Sequence, residues 1–176
     1  MKVILASLLA VVVSGALSAQ DIQKADDLAS KWRRTKSLAE PKVETRRTKG
    51  AALEIIEVKV DADTEVKFRN IQFALASDRL EGAITFQQLA EIASAMKKAG
   101  DEKFLIEGHT CDLGSPAHNK DLSQRRSQSV IAYLAHLGVP LGRLQPLGFG
   151  EEEPLAANTS EDARSQNRRV QIFRKL

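Results

Sequence analysis

One cysteine, Cys111, occurs in the 176 residues, so no intramolecular disulfide can brace the fold even in an oxidising compartment. Long apolar runs are also scarce. The one candidate, the almost unbroken stretch Val3 to Val13, falls short of the roughly 20 residues that a membrane-spanning helix needs. Charge of one sign is not in excess: a net +3 neither demands nor excludes an anionic partner such as nucleic acid, a lipid surface or a wall polymer. No internal repeat is visible, and the His and Cys residues lack the paired spacing of known zinc sites. What is present is an ordinary globular composition, 28% charged and 43% hydrophobic, on a chain long enough for one domain plus an extra segment.

The start of the chain reads as a targeting segment. Met1-Lys2 is positive, the apolar run follows, and Ser14 to Gln20 is small and polar. This pattern predicts a cleaved secretory signal over residues 1–19, cut near Ser18 or Ala19. No cysteine lies near that site, so a lipid-modified form is not expected. Residues 20–57 are polar and basic, with Lys31-Trp32-Arg33-Arg34-Thr35-Lys36 and Arg46-Arg47-Thr48-Lys49 interrupted by Pro41 and Gly50. Weak apolar periodicity there predicts a loosely ordered arm. A sharper reading makes it a basic arm docking on a membrane or an envelope protein, with Trp32 at the interface.

Beyond the arm the texture changes. Leu53 to Val60, Glu65 to Phe68 and Asn70 to Phe73 alternate as strands do. Ser77-Asp78 offers an N-cap before a helical stretch, Ala83 to Ala99, that ends at Gly100. Phe104-Leu105-Ile106 reads as a buried strand. A second amphipathic helix covers about Asn119 to Leu137, with Leu122, Val130 and Leu134 as its core stripe. Leu144 to Gly150 and Arg169 to Phe173 read as strands joined by a polar bridge, with Gly148 and Gly150 as turn residues and Glu151 to Glu153 as a solvated acidic turn. Strands alternating with two helices predict an α/β sandwich, one mixed sheet with helices on one face.

Three stretches carry chemistry. Gly108-His109-Thr110-Cys111-Asp112-Leu113-Gly114 is a strand emptying into a glycine-flanked loop, able to aim backbone N–H groups at an anion. Asn119 to Arg126 opens the next helix, whose positive end faces that loop. Asn167-Arg168-Arg169-Val170 places arginine where a planar fork can hold a carboxylate.

Taken in order, Ile71-x-Phe73-x-x-x-Ser77, Gly108-His109-Thr110, Asn119-x-x-Leu122-Ser123-x-x-Arg126, Gly148-x-Gly150-Glu151, Pro154 and Asn167-Arg168-Arg169-Val170 resemble the OmpA-like C-terminal domain. The resemblance covers residues 58–176 and implies a βαβαβ fold that binds peptidoglycan through the diaminopimelate residue of its stem peptide. It implies a non-enzymatic protein of the periplasm or outer membrane, without cofactor, metal or nucleic-acid partner. It assigns Arg126 to the ligand's free carboxylate, with Asn119, Thr110 and Arg168 lining the pocket. Where that family carries an aspartate after Gly-His-Thr, this chain has Cys111, with Asp112 next to it. Asp112 is therefore the candidate to replace the missing carboxylate. His109 reads as a structural histidine. The competing function is a cell-wall-processing or metal-dependent hydrolase built on the His109/Cys111 loop.

Overall fold

The computed structural model describes residues 22–33, 40–49 and 55–176, and the signal expected over residues 1–19 lies outside them. Eleven elements follow in order: α1 (Ala25–Trp32), β1 (Val43–Lys49), β2 (Ile55–Phe68), β3 (Gln72–Phe73), β4 (Leu80–Glu81), α2 (Ala83–Lys98), β5 (Phe104–His109), α3 (Pro116–His136), β6 (Leu144–Gly150), α4 (Glu161–Asn167) and β7 (Val170–Lys175). Five strands form one sheet in the order β1-β2-β7-β5-β6, antiparallel except for the parallel β5/β6 pair. The fold class read from the sequence, a mixed sheet with helices on one face, is the one observed.

The helical face holds the larger core. Leu89, Ile92 and Met96 of α2 and Val130, Ile131 and Leu134 of α3 pack with Phe68, Phe104, Ile106 and Ile172 of the sheet. The twofold alternation of β5 sends Phe104 and Ile106 to this side and Leu105 to the other. Helix α3 sits closest of all. An added Cβ on Gly108 would lie 2.3 Å from the Ser123 carbonyl oxygen, and one on Gly148 would lie 2.5 Å from the Gln124 nitrogen. These two glycines are register partners within β5 and β6, so Gly148 is a strand residue under a helix rather than the expected turn residue. Because backbone is the obstacle, Gly148→Ala should destabilise the protein by about 3 kcal/mol, read as a lower urea midpoint at unchanged slope.

The stretch expected to be a loosely ordered arm differs from that expectation. Ala25, Leu28, Ala29 and Trp32 of α1 recur at helical spacing and are all buried in the main core. Trp32 is 0% exposed, meets Phe104 edge-to-face at 5.2 Å and donates its indole N–H to the Thr64 carbonyl at 3.0 Å. It is a core residue, not an interfacial one. No side chain of the adjacent sequence caps this helix. Instead Glu91 of α2 accepts from the Ala25 N–H at 2.7 Å.

β1 pairs with β2 over its full length, and the hairpin curls across the sheet face opposite the helices. The register of β2 shifts between Asp61 and Val66, an irregularity that accompanies the bend. Beneath the hairpin lie Val58, Val60, Leu105, Leu147, Phe149 and Phe173. Arg46 closes this second cluster. Its guanidinium stands 4.8 Å from the Phe149 ring centroid and forks onto Glu107, with Nε to Oε1 at 2.8 Å and Nη2 to Oε2 at 2.9 Å. Glu153 and Glu44 also accept from Arg46, and Lys120 bonds Thr48 and Glu152. The acidic turn read as solvated thus helps to hold the hairpin down.

Candidate functional site

A cleft of about 740 Å³ opens where β5 ends, bounded by the β3–β4 hairpin, α3 and α4. Its floor is formed by Gly108 and His109, and its walls include Phe73, Glu81, Arg126, Asp162 and Arg168. His109 is 2% exposed, stacks on Phe149 at 5.2 Å, and neither ring nitrogen has a hydrogen-bond partner among the described residues. Burial, followed by the nearby Arg169 charge, pushes its pKa well below the usual histidine value. The ring is therefore neutral in the fold, and its 3.5 Å approach to Glu107 is not an ion pair.

That shift has a sign. A histidine whose folded pKa is depressed supports the fold above its ordinary value of 6.5 and withdraws that support as pH falls below it. The loss should approach about 1.4 kcal/mol per pH unit. Thermal melts between pH 7.5 and pH 5 should show a steeper decline for the wild type than for His109→Gln.

Arg126 is the cation of the cleft wall. It projects from α3, is 9% exposed, and lies 4.9 Å from the Phe73 ring centroid. Its Nε donates to the Ser77 carbonyl at 2.9 Å. Among the described residues it forms no ion pair, and its two terminal nitrogens have no partner. Burial lowers its pKa and the neighbouring Arg168 charge lowers it further, with Cys111 and Asp78 pulling the other way. Arg168 differs. Burial works against its charge too, but the hydrogen bonds to Glu161 and Cys111 and the charges of these groups together outweigh it, and its pKa rises. Arg169 behind them is pushed down to about 10 by burial and is spent on Gln171, Asn167 and Glu153.

The remaining residues singled out in the sequence are placed differently. Asn119 is buried, and its amide donates to the Cys111 carbonyl at 3.2 Å and to Glu151, fastening the loop to the chain after β6. Cys111 is buried with its sulfur 3.7 Å from Arg168 Nη1. Thr110 is buried with no partner for its hydroxyl among the described residues. Its backbone N–H, and that of His109, are spent on Gly150 and Arg169 carbonyls rather than aimed at an anion. Asp112 turns outward onto Arg164 of α4 at 3.1 Å and is absent from the cleft lining. The structure therefore brings Arg126 and Arg168 to the cleft, with Cys111 behind Arg168.

No hydrogen bond joins Cys111 to His109, and no group of three or more His, Cys, Asp or Glu side chains is placed to hold a metal among the described residues. Sequence reading missed α4 altogether, although Ser160 caps it by accepting from Ala163 N–H and Glu161 and Asp162 fill its first turn. That cap was the available signal for the wall that carries Asp162.

A model of the OmpA family matches residues 72–168. The chain is 32% identical to an outer-membrane lipoprotein, YfiB, of Pseudomonas aeruginosa, over 70% of this chain and 78% of that protein. It is 34% identical to the peptidoglycan-associated lipoprotein of Haemophilus influenzae, over 62% of this chain and 71% of that one. Among solved structures, the cell wall anchor of the T6SS from Pseudomonas aeruginosa superposes with a TM-score of 0.55 at 25% identity, covering 86% of this chain and 92% of that one.

Proposed function

The chain belongs to the OmpA family, and from that premise we propose that it binds peptidoglycan non-covalently through the diaminopimelate residue of the stem peptide. The observation that carries this reading is Arg126, a desolvated guanidinium held at a cleft wall with no ion-pair partner among the described residues. Keeping such a charge out of water without an anion is unfavourable, so its complement is supplied from outside. A free carboxylate fits its planar fork. Arg168 borders the same cleft, and Thr110, Cys111, Asp112 and Asn119 form and brace the loop beneath it.

Two similar proteins, a peptidoglycan-associated lipoprotein and a cell wall anchor, support this ligand class. A secretory signal in residues 1–19 would deliver the chain to the periplasm, where it tethers or organises the envelope without turnover. The exposed part of the N-terminal segment would face an envelope partner. Sedimentation with purified diaminopimelate-containing sacculi tests the proposal. The full chain should pellet with the sacculi and release no muropeptides into the supernatant. Retention in the supernatant would overturn binding, and released fragments would overturn the absence of turnover.

A further inference from the structure

The outer part of the β1–β2 hairpin is tied to the rest of the protein by side chains. Among the described residues β1 pairs only with β2, and β2 meets β7 only from Val60 onward, with the Lys59 carbonyl accepting from Leu176 N–H just before. Ahead of that point Arg46 reaches Glu107 and Glu153, and Thr48 reaches Glu152 and Lys120. Beneath the hairpin, Glu107 and His109 are alternate residues of β5 and share a face, with side chains 0% and 1% exposed. His109 Nε2 stands 3.5 Å from Glu107 Oε2, the same oxygen that Arg46 Nη2 holds at 2.9 Å. The imidazole and the Arg46 guanidinium both contact the Phe149 ring, at 5.2 Å and 4.8 Å between centres.

Charge meets the His109 ring from every element around it. β1 brings Arg46 with Glu44 behind it, α3 brings Lys120, and the turn after β6 brings Glu153. The lead-in to β7 brings Arg169, with Glu65 of β2 beyond it, while Arg126 and Arg168 border the cleft that His109 floors. Arg46, Lys120 and Arg169 already outnumber Glu107 and Glu153, so the closed hairpin has no place for a fourth positive charge. We propose that the β1–β2 hairpin is a strap that acid lifts: a solvent proton settles on His109 only as Arg46 withdraws, leaving Glu107 to the imidazolium. Glu107 stays ionised, and each opening binds one proton. Lifting uncovers the apolar side chains of Leu105, Leu147, Phe149 and Phe173 on the sheet. The sign follows from the closed form, which holds His109 well below its ordinary 6.5. Opening is therefore insensitive to pH above 6.5 and favoured by about tenfold per unit below it.

Amide hydrogen exchange of the full chain at pH 7.5 and pH 5, corrected for the intrinsic pH dependence of exchange, tests the strap. In the wild type, opening of β1 and the first half of β2 should rise roughly tenfold or more at pH 5, while α2 keeps its protection. His109→Gln, which stays uncharged over this range, should remove the rise. A rise that persists in His109→Gln makes Glu107 the group that titrates and overturns the assignment. No rise in the wild type overturns it, and so does an equal loss of protection in α2, which is global unfolding. A second reading uses the wild type alone. The C2 proton of His109, followed by NMR, should titrate over the pH range in which the hairpin amides open. A ring that stays neutral while the hairpin opens overturns the strap, whatever the variant does.

Discussion

Arg126→Ala should remain in the supernatant when the wild-type protein pellets with sacculi, with affinity for a stem peptide reduced roughly 10- to 100-fold. The size follows from what the side chain does inside the protein. Only its Nε is used, on the Ser77 carbonyl, and its terminal nitrogens face a cleft rather than a carboxylate. A carboxylate bound there would gain two parallel charge-assisted bonds at a largely buried guanidinium. Arg126→Lys should recover little of this, since an ammonium cannot match the fork. Stability should change by only about 1 kcal/mol, because the lost Ser77 bond and ring contact are offset by relief from burying a charge. Circular dichroism melts beside the sedimentation assay would check both halves. An Arg126→Ala protein that pellets as the wild type does would remove Arg126 from the site.

Arg46→Ala should cost far more stability, about 3–5 kcal/mol, although the residue lies outside the cleft. Removing it strands Glu107, whose side chain is 0% exposed and whose two oxygens both accept from Arg46. Burial pushes the Glu107 carboxyl above the usual 4.5, and Arg46 is the main force opposing that rise. Without Arg46, burial and the Glu44 charge are opposed only by the charge of Arg169. An acid whose folded pKa is raised supports the fold below its unfolded value and loses that support as pH climbs through the folded one. The deficit of Arg46→Ala should therefore be largest near neutral pH and narrow as pH falls toward 4.5. Urea denaturation at pH 7.5 and pH 5 would read it. Combining Arg46→Met with Glu107→Leu should restore most of the loss, because the charge and its counter-charge leave together.

The helical side of the fold was legible because each element there repeats its apolar residues with its own period. Leu89, Ile92 and Met96, and Val130 and Leu134, mark the stripes of α2 and α3 that bury into the main core. The N-terminal segment was not legible for two separate reasons. Helix α1 is short, and its first N–H, that of Ala25, is satisfied by Glu91, a residue distant in the chain. Strand β1 turns Glu44, Arg46 and Thr48 inward, so its alternation carries no apolar signal. An arginine reads as buried only when the carboxylate that accepts it is known to be there.

The site divides along the same line. Order and identity in the sequence determined the family, the strand that ends at His109 and the helix that carries Arg126, since these depend on local periodicity and on residues adjacent in the chain. Only the tertiary structure decided which charges are satisfied. Asp112 sits beside Cys111 in sequence, yet it is drawn outward by Arg164, whereas Asp162, fifty positions further on, lines the cavity. The reason is physical: a charged side chain settles on whichever partner the folded backbone brings within reach, and that pairing is made between elements, not within them.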